Sequence, residues 1–154
     1  MTVPAPDGRR KAPRLLFVCY GNICRSPMAE ALARRRLGPG AEVASAGIGA
    51  TGGPAEEEAV LVMKLVYGLD ISAHVARPVG AFDLRSFDHV VALDVSIYNH
   101  LRDVWGVPES LLYGWDIEDP MGADYAAFKE AALKIERRLD QFLDSIDPSA
   151  PRSL

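Results

Sequence analysis

Residues 19–27, with the sequence CYGNICRSP, place a thiol among groups that bind anions. Cys19 ends a short apolar run, and the turn after it contains Gly21 and Asn22, which tolerate backbone conformations that strain most residues. Arg25 offers a planar pair of donors to two phosphate oxygens. Ser26 and the proline after it can open a helix, whose first N–H groups also attract anions. Because the thiolate is the nucleophilic form of cysteine and these surroundings favour it, the segment predicts a phosphate-binding loop around a reactive thiol.

The bland interpretation of a single cysteine at the end of an apolar run is a buried structural side chain. In residues 19–27, however, the positions that an anion-binding turn requires are all occupied by suitable residue types, namely Cys, Gly, Asn, Arg, Ser and Pro. The chain has no GxxxxGK[ST] pattern, so the usual support for a nucleotide-binding P-loop is absent. We predict Cys19 and Arg25 as catalytic residues and a phosphate site formed by Tyr20, Gly21, Asn22, Ile23, Cys24 and Ser26.

The rest of the chain alternates predicted strands with predicted helices. The apolar run 14–19 does not alternate with polar residues, which indicates a strand covered on both faces. This order predicts an α/β fold with three layers, a four-stranded parallel sheet flanked by helices on both faces, and the phosphate loop after the first strand. We predict strands at 14–19, 42–46, 89–93 and 111–115, helices at 27–37 (capped by Ser26), 96–105 and 125–146, a helix opened by Pro54 that stops before Gly68, and a short helix near 80–86.

A candidate general acid follows the fourth predicted strand. Ligands of parallel α/β sheets bind at the carboxyl ends of the strands, so the loop after this strand opens on the same edge as Cys19. A carboxyl group there can protonate the oxygen that leaves phosphorus. Asp119 is the best candidate because Pro120 stiffens its loop, and Asp116 and Glu118 are the alternatives.

Length and composition favour one ordinary globular domain. We divide the 154 residues into a flexible tail at 1–13, a domain at 14–147 and a second tail at 148–154. The formal net charge of −4 gives no reason to expect binding to nucleic acid or to a membrane, and we see neither a signal peptide nor a membrane span. The two cysteines, Cys19 and Cys24, share one loop and cannot cross-link distant elements, so we predict a cytoplasmic protein.

The loop CYGNICRSP resembles the C-x-G-N-I-C-R-S-P loop of the low-molecular-weight protein tyrosine phosphatases. Four later segments resemble the same family in the same order, and the resemblance spans about residues 14–145. The resemblance implies hydrolysis of phosphomonoesters, above all of phosphotyrosine in proteins, through a phosphocysteine. The four segments are SAG at 45–47, HVAR at 74–77, Asp94 after a strand, and IEDP at 117–120.

The resemblance also assigns roles to individual residues. Cys19 becomes the nucleophile, Arg25 the phosphate clamp, and Asp119 the acid that later acts as base. Asn22 holds the loop through hydrogen bonds to Ser26, Ser45 and His74, and Cys24 can form a disulfide with Cys19 that protects the nucleophile from over-oxidation. We expect no metal and no cofactor, a phosphorylated protein or small phosphoester as substrate, and a monomer or weak dimer.

The sequence departs from the family at the cleft, because residues 48–53 contain no aromatic residue, and Met121 and Gly122 stand directly after Pro120 where many members carry aromatics. This departure weakens the assignment of phosphotyrosine as the physiological substrate and leaves the phosphate chemistry untouched. The candidates for the cleft walls are Tyr20, Ile48, Met121 and Tyr125.

Three other activities remain open on the same loop. A protein-arginine phosphatase typically carries Thr where Ile23 stands, so Ile23 favours phosphoesters. A pseudophosphatase would bind phosphorylated partners without turnover, although such proteins usually lose the cysteine or the arginine. An arsenate reductase needs further cysteines for its disulfide relay, and this chain has only Cys19 and Cys24.

Overall fold

The computed structural model describes residues 12–146. The predicted tails at 1–13 and 148–154 lie outside the described residues, except for residues 12 and 13. The regular elements are β1 (Arg14–Cys19), α1 (Arg25–Leu37), β2 (Glu42–Gly47), α2 (Glu57–Tyr67), β3 (His89–Ala92), α3 (Val95–Asp103), β4 (Leu112–Gly114) and α4 (Tyr125–Ile146).

The four strands form one parallel sheet in the order β2–β1–β3–β4. β1 is central, and its register pairs Cys19 with Gly47 of β2 and Val18 with Ala92 of β3. The sheet therefore brings the ends of β1, β2 and β3 to one edge, where the loop after Cys19 begins.

Helices cover both faces of this sheet, which explains why β1 is apolar throughout. Leu15 and Phe17 face a core that α1, α2 and α4 complete, whereas Leu16 and Val18 face a second core with α3. All four side chains are fully buried, and each contributes roughly 1.5–3 kcal/mol to folding. The predicted three-layer α/β fold is confirmed. None of the α-helices in residues 12–146 has the length and apolar character needed to cross a membrane.

Two predicted helix starts are wrong, and the phosphate loop explains both. α1 begins at Arg25 without a side-chain cap, because the Ser26 hydroxyl contacts the Cys19 sulfur instead. Pro54 does not open α2, which starts at Glu57, because the Glu56 N–H donates to the Ile23 carbonyl at 2.8 Å and keeps this segment extended. The predicted short helix near 80–86 consists of two 3₁₀ turns, Val79–Ala81 and Leu84–Ser86.

His89, at the start of β3, is buried against the rings of Tyr113 and Phe142. Neither ring nitrogen has a hydrogen-bond partner among residues 12–146, and burial lowers the pKa of His89 below its usual value. As the pH falls below about 6.5, His89 therefore takes up a proton in the unfolded chain more readily than in the folded chain. The free energy of unfolding decreases as a result.

We expect His89→Phe to remove this acid-side loss of stability while keeping a ring against Tyr113 and Phe142. Urea unfolding between pH 8 and pH 5 should show a wild-type free energy of unfolding that falls relative to the variant, by at most about 1.4 kcal/mol per pH unit. Above pH 7.5 the difference between the two proteins should be constant. Parallel pH profiles would contradict a neutral, buried His89.

Candidate active site

The loop after β1 is held tightly against the loop after β2. The Ile48 N–H donates to the Cys19 carbonyl at 3.1 Å, and the Gly49 N–H donates to the Tyr20 carbonyl at 2.8 Å. A Cβ at Gly47 would lie 2.6 Å from the Tyr20 carbonyl oxygen, so only glycine allows this approach. Residues 47–52 have the GxGxxG spacing of a dinucleotide site, but no helix begins directly after them, because α2 (Glu57–Tyr67) starts five residues later. Gly47 and Gly49 pack instead against Tyr20 of the phosphate loop.

The Cys19 sulfur lies among donors that stabilise a thiolate. The Ser26 hydroxyl lies 2.9 Å from Sγ, and the Asn22 N–H donates to Sγ at 3.3 Å. Cys19 is only 2% exposed, so water offers little competition for these contacts. The Ser26 hydroxyl therefore lies where it can donate a hydrogen bond to the sulfur.

Asn22 has a φ of 56°, a left-handed conformation that asparagine tolerates better than most residues. Its buried side chain fixes this strained turn. Nδ2 donates to Ser26 Oγ and to Ser45 Oγ, both at 2.8 Å, and Nε2 of His74 lies 2.7 Å from the Asn22 carbonyl oxygen. The structure therefore brings together Asn22, Ser26, Ser45 and His74, the set that the family resemblance implied.

Arg25 is almost completely buried and has one edge of its guanidinium occupied. Nη1 donates to Asp94 Oδ2 at 2.7 Å and to the Ile117 carbonyl at 2.8 Å, while Nη2 lies 3.6 Å from Asp119 Oδ2. Nε is buried and has no partner among the described residues. An orphaned buried donor is costly, so a ligand oxygen is the natural partner of Nε.

Asp94 has two contacts that explain its position after β3. Oδ1 accepts from the Ile97 N–H at 2.9 Å and caps α3, while Oδ2 holds Arg25. From sequence, a turn residue at the end of a strand and a site residue are equally good interpretations of Asp94. The structure shows both contacts, since the two carboxylate oxygens serve different partners.

Cys19 and Arg25 line a cavity of about 270 Å³. Tyr20 and Met121 flank it and are 60% and 52% exposed. The Tyr20 ring lies over Gly49, where an added Cβ would come within 2.7 Å of the ring. The cavity is lined by Cys19, Tyr20, Gly21, Ile23, Cys24, Arg25, Gly49, Thr51, Asp119 and Met121.

Two predicted wall residues lie elsewhere. Ile48 packs against the core beneath α3, and Tyr125 packs against the core of the opposite face, so neither lines the cavity. Thr51 lines the cavity but was not predicted, because no pattern in the glycine-rich loop marks that position. Arg77 escaped it too, since its contribution is a backbone N–H that donates to Asn22 Oδ1 at 2.9 Å.

A larger cavity, of about 770 Å³, lies between α1 and residues 69–77. It contains none of the predicted catalytic residues Cys19, Arg25 and Asp119. Volume alone would favour this cavity, but the thiol, the orphaned guanidinium nitrogen and the carboxylate all meet at the smaller one. We therefore assign the chemistry to the smaller cavity.

Cys24 differs chemically from Cys19, although both are free thiols. Burial raises the pKa of the Cys24 thiol to about 12, and the negative charges of Asp119, Cys19 and Glu56 add to this effect. Its Sγ donates to the Met121 sulfur at 3.7 Å. Cys24 is therefore a protonated thiol at neutral pH, which makes it the poorer candidate for the nucleophile of the loop.

Asp119 stands at the cavity in a turn that its own carboxylate stabilises. Oδ1 accepts from the Met121 N–H at 3.1 Å, and Oδ2 faces Arg25. Asp116 and Glu118, the alternatives, do not line the cavity. Of the three carboxylates, Asp119 is the one that can reach a group bound beside Cys19.

Known proteins match this chain over most of its length. The family model for the low molecular weight phosphotyrosine protein phosphatases matches residues 14–151. A probable low molecular weight protein-tyrosine-phosphatase from Ralstonia nicotianae is 37% identical over 139 residues, which cover 86% of this chain and 94% of the relative. The low molecular weight protein-tyrosine phosphatase A of Mycobacterium bovis is 36% identical over 156 residues, with 89% and 93% covered.

Solved structures agree with the sequence comparisons. The crystal structure of a low molecular weight protein tyrosine phosphatase from T. tengcongensis has a TM-score of 0.79 and 35% identity, and the match covers 87% of this chain and 99% of that one. An arginine phosphatase from Geobacillus stearothermophilus has a TM-score of 0.80 and 27% identity, with 88% and 94% covered. Because the family model matches most of the chain and a relative is 37% identical over 139 residues, the chain belongs to the low-molecular-weight phosphotyrosine protein phosphatase family.

Proposed function

We propose that the protein hydrolyses phosphomonoesters, above all phosphotyrosine in proteins, through a phosphocysteine on Cys19. One observation carries this proposal: Cys19, Asp119 and Arg25, whose Nε has no partner among the described residues, line the same small cavity. A nucleophile, a phosphate-binding donor and an acid are the groups that the reaction requires.

In the first step, the Cys19 thiolate attacks phosphorus and the bond to the leaving oxygen breaks. The loop amides and Arg25 hold the phosphoryl oxygens, and the negative charge that they carry is stabilised by donors that are already in place. Asp119 gives its proton to the leaving oxygen, which departs as an alcohol or a phenol. The products of this step are phosphocysteine and an ionised Asp119.

In the second step, water attacks the phosphocysteine. Asp119, now ionised, takes a proton from this water, and the sulfur leaves as a thiolate. The Ser26 hydroxyl, 2.9 Å from Sγ, stabilises the departing sulfur by donating a hydrogen bond. Asp94 and the Ile117 carbonyl hold Nη1 of Arg25. The other edge of the guanidinium, which carries Nε and Nη2, can therefore stay on the phosphate through both steps.

The apolar mouth supports aromatic phosphoesters as substrates. Tyr20 and Met121 present large exposed side chains on the cavity, although the family's usual cleft aromatics are missing. Phosphoarginine is the second candidate, because an arginine phosphatase shares the fold. Ile23, which lines the cavity, favours phosphotyrosine because it has no hydroxyl to position water near a P–N bond.

Peptides that differ only in phosphotyrosine, phosphoserine or phosphoarginine test this choice. We expect wild-type kcat/KM to be at least about tenfold higher for phosphotyrosine than for the other two. Ile23→Thr should raise the activity on phosphoarginine relative to phosphotyrosine, whereas Ile23→Val, with the same branching and no hydroxyl, should not. A wild-type preference for phosphoarginine would overturn the tyrosine assignment.

The remaining alternatives have weaker support. A pseudophosphatase would need no nucleophile, yet Cys19 and Arg25 are both in place. An arsenate reductase relay would need cysteines beyond Cys19 and Cys24, and the sequence contains none. If a peroxide oxidised Cys19 to a sulfenic acid, Cys24 could attack that sulfur with loss of water, and the resulting Cys19–Cys24 disulfide would switch the enzyme off reversibly. The protonated Cys24 would make this attack slow at neutral pH.

We also propose a cytoplasmic enzyme that needs no metal or cofactor, acts as a monomer or weak dimer, and binds neither nucleic acid nor membranes. The free thiols of Cys19 and Cys24 support a reducing compartment, because the nucleophile must stay reduced to act. The net charge of −4 supports the absence of nucleic-acid binding.

A further inference from the structure

A buried carboxylate on α1 lies behind the phosphate loop, outside the cavity that holds Cys19. Glu30 is only 7% exposed, and it lies one helical turn after Ser26 and one turn before Arg34, so these three side chains share a face of α1. Oε1 of Glu30 accepts from the Ser45 hydroxyl at 2.5 Å, and Oε2 lies 2.6 Å from Nη2 of Arg34. A buried carboxylate is costly unless it is paired and hydrogen-bonded, and Glu30 is both.

A continuous set of hydrogen bonds joins Glu30 to the Cys19 sulfur. Ser45 Oγ, which donates to Glu30, accepts from Nδ2 of Asn22 at 2.8 Å. The same Nδ2 donates to Ser26 Oγ at 2.8 Å, and Ser26 Oγ lies 2.9 Å from Cys19 Sγ. The three intermediate side chains are fully buried, so water does not compete for these bonds. We call this set the relay, and its members are Glu30, Ser45, Asn22 and Ser26.

Both sides of Asn22 fix the direction in which the protons of the relay point. A carboxylate only accepts hydrogen bonds, so the single hydroxyl proton of Ser45 must point at Glu30, and Ser45 can offer Asn22 nothing but lone pairs. On the other side of the amide, the Arg77 N–H donates to Oδ1 of Asn22 at 2.9 Å. Asn22 must therefore turn its NH2 group toward both Ser45 and Ser26.

The direction of the relay reaches the sulfur through the hydroxyl of Ser26. Since Ser26 Oγ accepts from Asn22, its own proton is left for another acceptor. The acceptors within reach are the Cys19 sulfur at 2.9 Å and the Ala46 carbonyl at 3.5 Å, which is too long for a strong bond. A hydrogen bond donated to the sulfur favours the thiolate over the thiol. In a reversed relay, Ser26 would donate to Asn22 and the sulfur would lose this bond.

We propose that Glu30 is a positioning residue, which sets the direction of the relay so that Ser26 donates its proton to the Cys19 sulfur. Arg34 pairs with the carboxylate, and this pairing offsets the negative charge that would otherwise repel a thiolate. The charged side chains that line the cavity with Cys19 are Arg25 and Asp119, and the variants that test the proposal leave both unchanged. The proposal rests on the proposed function, because it concerns the nucleophile of that reaction.

Glu30→Gln tests the direction of the relay at nearly constant shape. The guanidinium of Arg34 only donates, so it should draw the new amide oxygen toward itself and leave the amide NH2 facing Ser45. The Ser45 proton then has no acceptor on that side, and the direction of the relay is no longer fixed. The rate at which iodoacetamide alkylates Cys19, followed by mass spectrometry from about pH 4 to about pH 9, reports the thiolate fraction without requiring turnover. Below the midpoint of the wild-type profile, we expect Glu30→Gln to lower this rate about tenfold, since a hydrogen bond to the thiolate is lost.

Two further variants separate a positioning role from a purely structural one. Arg34→Met in the Glu30→Gln background frees the amide to turn its oxygen to Ser45, so the alkylation rate should return to within about threefold of the wild-type rate. A role in helix packing alone would make this double variant worse than Glu30→Gln. Glu136→Gln is the matched control, because Glu136 also accepts from a hydroxyl, that of Tyr67 at 3.1 Å, and it should leave the profile unchanged.

The Ser26→Ala background shows whether Glu30 acts through Ser26. There, Glu30→Gln should change the alkylation rate by less than about twofold, because the bond that it would weaken is already absent. An effect as large as in the wild type would overturn the proposal, and so would a loss of less than about threefold in folded Glu30→Gln. If Glu30→Gln does not fold, Ser45→Ala cuts the relay without touching the ion pair, and the same loss and the same threshold apply to it.

Hydrolysis of para-nitrophenyl phosphate by the wild type, measured in parallel, separates this proposal from the proposed function. No hydrolysis by folded, reduced protein would overturn the proposed function, while the alkylation profiles would still show whether Glu30 governs the Cys19 thiolate. Hydrolysis together with an unchanged profile in Glu30→Gln would overturn the role of Glu30 and leave the phosphatase assignment standing.

Discussion

Cys19→Ser should abolish turnover, with a loss of at least about 10⁴-fold in kcat for para-nitrophenyl phosphate. The serine oxygen occupies nearly the same place but is a poor nucleophile at neutral pH, since the hydrogen bonds from Ser26 and from the Asn22 N–H can stabilise a thiolate but cannot ionise a hydroxyl. Steady-state hydrolysis near pH 6, with both proteins freshly reduced, measures the loss.

The same variant should keep the phosphate site. Arg25 and the loop amides do not depend on the sulfur for their positions, because Asp94, Ser45 and His74 hold them from outside the loop. Calorimetric titration with phosphate should therefore give similar affinities for the wild type and Cys19→Ser. Cys24→Ser is the matched control in the same loop and should lose far less activity. Turnover near the wild-type level in Cys19→Ser would contradict a covalent mechanism.

The contiguous part of this site could be predicted from the sequence because its geometry is local. A strand, a tight turn and a helix within residues 14–37 determine where Cys19, the amides and Arg25 lie relative to one another. Asp119 could be added because a parallel sheet places every strand–helix loop on one edge. The predicted start of α1 was wrong because Ser26 had two possible partners, the helix amides or Cys19, and a sequence cannot rank them.

The remaining part depends on contacts between distant segments. Residues 49 and 51 form part of the cavity wall, and no spacing rule connects them with Cys19, whereas Met121 could be predicted because it follows Asp119 and Pro120. Ile48 was a reasonable candidate, but it lies in the turn after β2 and packs against the second core, while its neighbour Gly49 lines the cavity. Arg77 acts through its backbone, and a backbone contact leaves no mark on the choice of side chain.

Asp119→Asn should slow the reaction in a way that depends on the leaving group. With phenyl phosphate, whose phenolate leaves poorly, we expect a loss of roughly 10²–10⁴-fold in kcat/KM, since no group then donates a proton to the oxygen. With para-nitrophenyl phosphate the loss should be less than about tenfold, because nitrophenolate leaves without protonation. Glu118→Gln, the neighbouring carboxylate outside the cavity, is the matched control and should leave both values near those of the wild type. An equal loss for both substrates would argue against Asp119 as the acid.

The second role of Asp119 gives the same variant a kinetic signature. Because the ionised carboxylate activates the water that hydrolyses phosphocysteine, Asp119→Asn should form the intermediate from para-nitrophenyl phosphate faster than it can release it. Rapid mixing should then show a burst of nitrophenolate close to one equivalent per enzyme, followed by slow turnover, and the phosphorylated Cys19 should be recovered after acid quenching. The contacts of Arg25 make this outcome informative, since its Nη2 loses the charge of Asp119 at 3.6 Å while its Nη1 keeps Asp94 at 2.7 Å. Phosphate binding should therefore persist, and a missing burst would mean that another group activates the water.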